Sequence, residues 1–193
     1  SDSLYAFLHQ AYCQQWKPAV LAEPAVPTSA FVGQPVSLDA GRSWARAGRD
    51  ALTFEWLLDG GTSDCGSILT RTYDRPGVYT ETVRVGDGQG NFDYAFSRVV
   101  VRDAENPEAD PPRLHAAYWP TRGIQPGDEV TFLVRAFKIG TDEGHEVWDF
   151  GDGSPRVQLR PEDAGRTYDD EREYKVVKHR FDKPGCYIVR VER

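Results

Sequence analysis

The sequence predicts an all-β protein in which two antiparallel β-sandwiches stand in tandem behind one short α-helix. Three observations predict it. The chain repeats itself: "RTYDRPGVYTETVRV" (Arg71 to Val85) matches "HRFDKPGCYIVRVER" (His179 to Arg193), "FEWLLDGGTS" matches "EVWDFGDGSP", and "GQPVSL" matches "GDEVTF", in the same order each time. Within these blocks apolar and polar residues alternate, as at Val36 and Leu38 or at Val130, Phe132 and Val134, which is the period of a half-buried strand. Clusters of Gly, Pro, Asp and Asn, such as "GDGQGN" (Gly86 to Asn91) and "PGD" (Pro126 to Asp128), punctuate the strands at short intervals.

In chain order, residues 1–23 form the helix and its connection. Leu4, Leu8, Ala11 and Gln15 share one helical face, Ser and Asp cap the start, and Pro18 ends a helix read over Ser3 to Trp16, with Trp16 docking its end on the first sandwich. Residues 24–103 form the first sandwich, whose strand around Tyr79 to Val85 turns through Gly86 to Asn91 into a closing strand, Asp93 to Val101. Residues 104–112 are acidic and proline-containing and connect the domains. Residues 113–193 form the second sandwich, which differs by an insertion within Arg156 to Val177. Its repeat stops at Arg193, where the turn to a closing strand should begin, so that strand is expected beyond the residues given.

Composition excludes whole classes of function. With 193 residues, 39% hydrophobic and 27% charged, the chain is ordinary for a globular protein, and no apolar run is long enough to span a bilayer. The net charge is −7 and the basic residues are scattered, which argues against nucleic acid as a partner. The histidines at 9, 115, 145 and 179 form no HExxH, and no GxSxG elbow accompanies them, so no catalytic residues are assigned. Cys13, Cys65 and Cys186 match no metal spacing. The expected register turns Cys186 outward with Ile188 and Arg190 while Tyr187, Val189 and Val191 point inward, so any bridge would join Cys13 to Cys65. A chain with no Met and no secretory signal reads as an excised or processed segment.

The stretch from Trp148 to Pro155, "WDFGDGSP", followed later by "HRFDKPGCYIVRV", resembles the signature of the polycystic-kidney-disease (PKD) module, an immunoglobulin-like β-sandwich common outside cells. The resemblance covers Ala25 to Asp103 and Arg113 to Arg193, and it is divergent in the first copy, where "EWLLDGG" keeps only the Trp and the glycines. It implies a non-catalytic accessory, spacer or binding module of a larger secreted, cell-surface or periplasmic protein, often a polysaccharide- or protein-degrading enzyme. Partners would be the other domains of that protein, a polysaccharide or a cell-surface protein. A dedicated carbohydrate-binding module and a calcium-dependent adhesive domain are the alternatives.

Residue by residue, Trp56, Trp148 and Phe150 are core aromatics. Gly151 and Gly153 permit a tight reversal, and Asp152 accepts backbone N–H groups within it. Asp149 faces outward, and Asp149 with Asp152 is the candidate calcium pair, the one cofactor considered. Tyr79 and Tyr187, each following Pro-Gly, suit tyrosine corners. Trp44, flanked by Arg42, Arg46 and Arg49, and Trp119 beside Tyr118 are the candidate ligand-binding aromatics, with packing against the helix or across the domain interface as the alternative. The charged insertion, from Glu162 to Glu173, reads as a solvated loop.

Overall fold

The structure, a computed structural model, describes residues 18–58, 63–138, 145–159 and 174–193. The chain divides into two compact units, Ser1–Ala109 and Asp110–Arg193. The helix read over Ser3 to Trp16, with Cys13, lies outside the described residues, as does most of the charged insertion. The described elements are strands apart from one 3₁₀ turn, Arg49–Ala51, and none of the described helices is long and apolar enough to cross a membrane.

The first unit holds β1 (Val20–Leu21), β2 (Thr28–Phe31), β3 (Val36–Asp39), β4 (Trp44–Ala45), β5 (Thr53–Leu57), β6 (Ser63–Cys65), β7 (Ile68–Arg71), β8 (Gly77–Gly86) and β9 (Phe92–Arg102). A five-stranded sheet runs in the order β2-β9-β8-β5-β6, while β3 pairs with β7 and β1 with β4. Every pairing is antiparallel except β2 with β9, which run parallel from Thr28↔Val99 to Phe31↔Arg102. The alternation read from the sequence is visible as burial: Val36 and Leu38 of β3, Leu69 of β7, Trp56 of β5, Val83 and Val85 of β8, and Ala95, Val99 and Val101 of β9 are all buried in one core. The Trp56 indole donates its Nε1–H to the Gly66 carbonyl at 3.0 Å, which satisfies its polar edge.

Side chains hold what the ladders do not. The backbone N–H of Ala22 donates to Asp93 Oδ2 and that of Ala25 to Ser97 Oγ, each at 3.0 Å, clasping the chain before β2 onto β9. The hairpin between β8 and β9 is closed by Asp87. Its Oδ1 accepts the N–H groups of Gln89 and Asn91, and its Oδ2 accepts the Asn91 amide at 2.7 Å. After β9, Arg102 Nη1 donates to the Pro107 carbonyl at 3.0 Å, so the acidic segment that the sequence suggests as a free connection starts out fastened to the first unit.

The second unit holds β10 (Arg113–Trp119), β11 (Glu129–Phe137), β12 (Val147–Asp149), β13 (Val157–Gln158), β14 (Lys175–Arg180) and β15 (Arg190–Glu192). They form two three-stranded sheets, β10-β11-β14 and β13-β12-β15. Val130, Phe132, Val134, Trp148, Phe150 and Leu159 are the buried core, with Phe181, Val189 and Val191 packed against it. The strand expected over Tyr187 to Val191 is shorter than its apolar pattern, with ladder pairing only from Arg190 to Glu192 opposite Val147–Asp149. Gly151 supplies the reason. It sits at φ +70°, and a Cβ there would strike the Ile188 carbonyl, so the turn after β12 presses directly on the backbone before β15. Cys186 is exposed and, like Cys65, carries a free thiol.

Both units place a tyrosine against its own preceding turn. Tyr79 Oη donates to the Arg75 carbonyl at 2.9 Å, and Tyr187 Oη to the Lys183 carbonyl at 2.7 Å, each reaching back across the Pro-Gly pair. The Tyr187 ring also stacks on Phe181 with centroids 4.5 Å apart. Removing either hydroxyl leaves a turn carbonyl without that partner. Tyr187→Phe is expected to lower stability by about 1 kcal/mol, seen as a lower urea midpoint at unchanged slope; an unchanged midpoint would show the corner to be energetically idle.

Candidate functional site

Three places hold the residue types that chemistry or binding would use, and the fold treats each differently.

The first is the turn from Trp148 to Pro155. Trp148 and Phe150 lie two apart on β12 and its extension and are both buried, their rings stacked with centroids 6.1 Å apart. His179 of β14 lies flat on Phe150, centroids 3.9 Å apart, and places Nε2 2.7 Å from Asp152 Oδ2. Asp152 Oδ1 accepts the Ser154 backbone N–H at 2.9 Å. Asp149 is engaged in the same way: Oδ1 accepts the Gly151 N–H at 3.0 Å and Oδ2 accepts the Arg156 Nε–H at 3.1 Å. All four carboxylate oxygens of the candidate calcium pair therefore have donors from the chain itself. Among the described residues no group of three or more His, Cys, Asp or Glu is placed to hold a metal ion.

Electrostatics at this turn follow from those bonds. Ser154, through its side chain and its backbone N–H, and then His179 draw the Asp152 carboxyl down to about 2 against the opposing push of burial. Of the two Ser154 groups the backbone N–H is the one with full hydrogen-bond geometry, because the hydroxyl has no partner that meets it. Next to the turn, Glu146 is buried, with Lys175 Nζ on Oε2 and Arg193 Nη1 on Oε1 at 2.7 Å. Burial pushes its carboxyl up, but the two cations outweigh it and hold the group below its usual range.

The second place is the loop around Trp44. Its arginines are engaged within the protein: Arg42 Nε pairs with Glu23 Oε1 at 3.0 Å, Arg46 Nη2 donates to the Pro18 carbonyl at 3.3 Å, and Arg49 Nη2 to the Gly41 carbonyl at 2.6 Å. Trp44 stands exposed opposite Leu21 in the short β1–β4 pair. Tyr118 and Trp119 fare no better as a joint platform. As consecutive residues of β10 they face opposite sides of the sheet. Tyr118, 47% exposed, lays its ring against core Phe132 with centroids 6.0 Å apart, while Trp119 is 71% exposed on the other side. The sequence groups them; the pleat separates them.

The third place was not singled out from the sequence. On β9 the residues Ala95, Ser97, Val99 and Val101 point into the core, so Phe92, Tyr94, Phe96 and Arg98 form a row on the outer face. Phe92 and Phe96 are 46% and 51% exposed. Across the ladder Thr82 stands opposite Phe96, Arg84 opposite Tyr94, and Thr80 opposite Arg98. Arg84 lies over the Phe92 ring at 4.3 Å and pairs with Glu55 of β5 at 3.5 Å, and the Phe92 and Tyr94 rings meet edge to face at 5.6 Å. The signal was legible as the alternation in "FDYAFSR", where every second residue is aromatic or basic.

The family model of the PKD domain matches residues 18–101, which is the strand-bearing part of the first unit. The motif from Trp148 to Pro155 lies outside the matched span. No curated protein matches the chain. Among solved structures, SGBP-B of the Bacteroides ovatus mixed-linkage glucan utilization locus, in complex with a mixed-linkage heptasaccharide, is similar at 13% identity and a TM-score of 0.32, over 87% of this chain and 40% of that one. A structure of carbohydrate-binding modules from the β-sandwich superfamily is similar at 13% identity and a TM-score of 0.37, over 91% of this chain and 84% of that one. The chain thus spans well under half of the first. At such scores the likeness reaches neither a shared function nor a shared site.

Two outcomes test the turn. The Asp152 carboxyl is depressed from an ordinary value near 3.8 to about 2, so its contribution to stability is complete above about pH 4 and is lost as pH falls through about 2. Asp152→Asn should remove that component, giving a lower stability at neutral pH and a shallower acid limb. An acid limb identical to the parent's would separate Asp152 from the folded state. A chelator should leave the melting temperature unchanged, since a site-bound ion would stabilise by mass action; a drop of several degrees restored by calcium would overturn this.

Proposed function

We propose that this chain is a non-catalytic accessory segment of a larger secreted or surface protein, built from two PKD-type sandwiches in tandem, that holds neighbouring domains at a set distance and orientation. The PKD match over residues 18–101 supports the reading for the first unit. For the second, the support is the same Pro-Gly-x-Tyr corner, with Tyr187 bonded four residues back as Tyr79 is, and the turn from Trp148 to Pro155. That turn carries the argument. It is the stretch whose residues would best suit chemistry, and it spends every carboxylate oxygen on the fold. The larger protein is proposed to be a polysaccharide-degrading enzyme working outside the cell, at its surface or in the periplasm.

A carbohydrate-binding module is the second reading, favoured by the exposed aromatic row of β9. Rings held on a rigid sheet with hydroxyl and guanidinium groups beside them are what sugar C–H faces and hydroxyls require. The accessory reading is tested by assaying the purified chain on polysaccharides, glycosides and peptides. No turnover is expected; turnover that survives repurification and disappears on substituting one residue of this chain would overturn it.

A further inference from the structure

The outer face of the five-stranded sheet in the first unit carries more arginine than carboxylate. The chain as a whole carries a net charge of −7. On this face, however, Arg84 of β8 and Arg98 and Arg102 of β9 stand against Glu55. Arg84 pairs with Glu55 and Arg102 donates to the Pro107 carbonyl, so among the described arginines of this face Arg98, exposed beside Thr80, is the one directed at solvent. It stands two residues beyond Phe96 on the same face of the same strand.

We propose that this face binds a polysaccharide chain bearing carboxylate groups, laid along β9. The inference rests on the carbohydrate-binding reading and names its site and ligand class. Phe92 and Phe96 are four residues apart, about 13 Å along the strand, a span that an extended chain covers and a single small sugar does not. Their rings offer apolar faces to sugar C–H groups, and the guanidinium of Arg98 with the Thr80 hydroxyl offers donors to a carboxylate and to ring hydroxyls. The platform is pre-organised: Arg84, held by Glu55, lies over Phe92, whose ring also meets Tyr94, and both aromatics ride on the ten-pair β8–β9 ladder. Little freedom is lost when a ligand lands on it. The surplus of arginine on one face of an acidic molecule steers an anionic chain to that face and repels it elsewhere.

The test is retardation of the whole chain in native gels containing polygalacturonate, or a soluble neutral β-glucan, or no polymer. Retardation is expected in polygalacturonate, weakening as salt is added because the contact includes charge. Phe92→Ala with Phe96→Ala should weaken binding about tenfold, equivalent to about 1.4 kcal/mol, because both rings that face the sugar are removed. Arg98→Ala should remove the preference for the acidic polymer while retaining residual binding through the rings. Phe92, Phe96 and Arg98 are all solvent-exposed, so the variants should melt like the parent, and Phe96→Trp should bind at least as well. Retardation that survives in the double variant but disappears in Trp44→Ala or Trp119→Ala would leave the binding-module reading standing and overturn this face as the site. Equal retardation by the neutral polymer at all salt concentrations would overturn the ligand class, and no retardation by either polymer would overturn the proposal as a whole.

Discussion

The register of the β8–β9 ladder is the constraint on which the rest of the first unit depends. It runs ten residue pairs, from Gly77↔Val101 to Gly86↔Phe92, and Asp87 ties off its closed end through both carboxylate oxygens. Because side chains alternate, a slip of one residue would carry Val99, Val101 and Ala95 to solvent and bring Phe96 and Arg98 inside. The same register supplies Ser97 and Asp93 as acceptors for the strandless chain at Ala25 and Ala22. Core, clasp and outer aromatic row are thus three readings of one alignment, and the small acidic turn at Asp87 sets it.

The two units solve the problem of interior charge in different ways. In the first, Glu81 points inward from β8 and receives the Tyr73 hydroxyl at 2.8 Å, with Arg71 at 3.9 Å as its counter-ion. Burial and the neighbouring carboxylate push the Tyr73 hydroxyl far above its ordinary range, which keeps it a donor at any physiological pH. In the second unit a buried carboxylate belongs to Glu146, answered by Lys175 and Arg193. Neither arrangement adds obvious stability over an apolar packing, but removing one partner from either would strand a desolvated charge.

Much of this was legible in the sequence, for identifiable reasons. Strand alternation at Val36, Leu38, Val130, Phe132 and Val134 reports burial because the pleat has period two, and the Pro-Gly-x-Tyr pairs report their corners because the bond is local, four residues back. The turn at Trp148 to Pro155 could be read for the same cause. What failed to show was non-local. Tyr118 and Trp119 look like one aromatic site as letters and part company as strand neighbours, and the arginines around Trp44 are consumed by carbonyls and a carboxylate that the linear order does not place beside them. The shortening of β15 depends on a contact between Gly151 and Ile188, thirty-seven positions apart. The row from Phe92 to Arg98 was visible as alternation but its meaning required knowing which face was already taken by the core.

The parallel pairing of β2 with β9 has a mechanical meaning. These strands lie toward opposite ends of the first unit in sequence and run side by side in the same direction, from Thr28↔Val99 to Phe31↔Arg102, extended by the Val32 N–H on the Arg102 carbonyl at 3.0 Å. Tension that draws Thr28 one way and Arg102 the other pulls along the strand axes, so the bridges between them are loaded together in shear and must yield together. An antiparallel terminal pair pulled from adjoining ends would instead open like a zipper, one bridge at a time. A unit wired in this way transmits tension along a chain without lengthening until the whole patch gives.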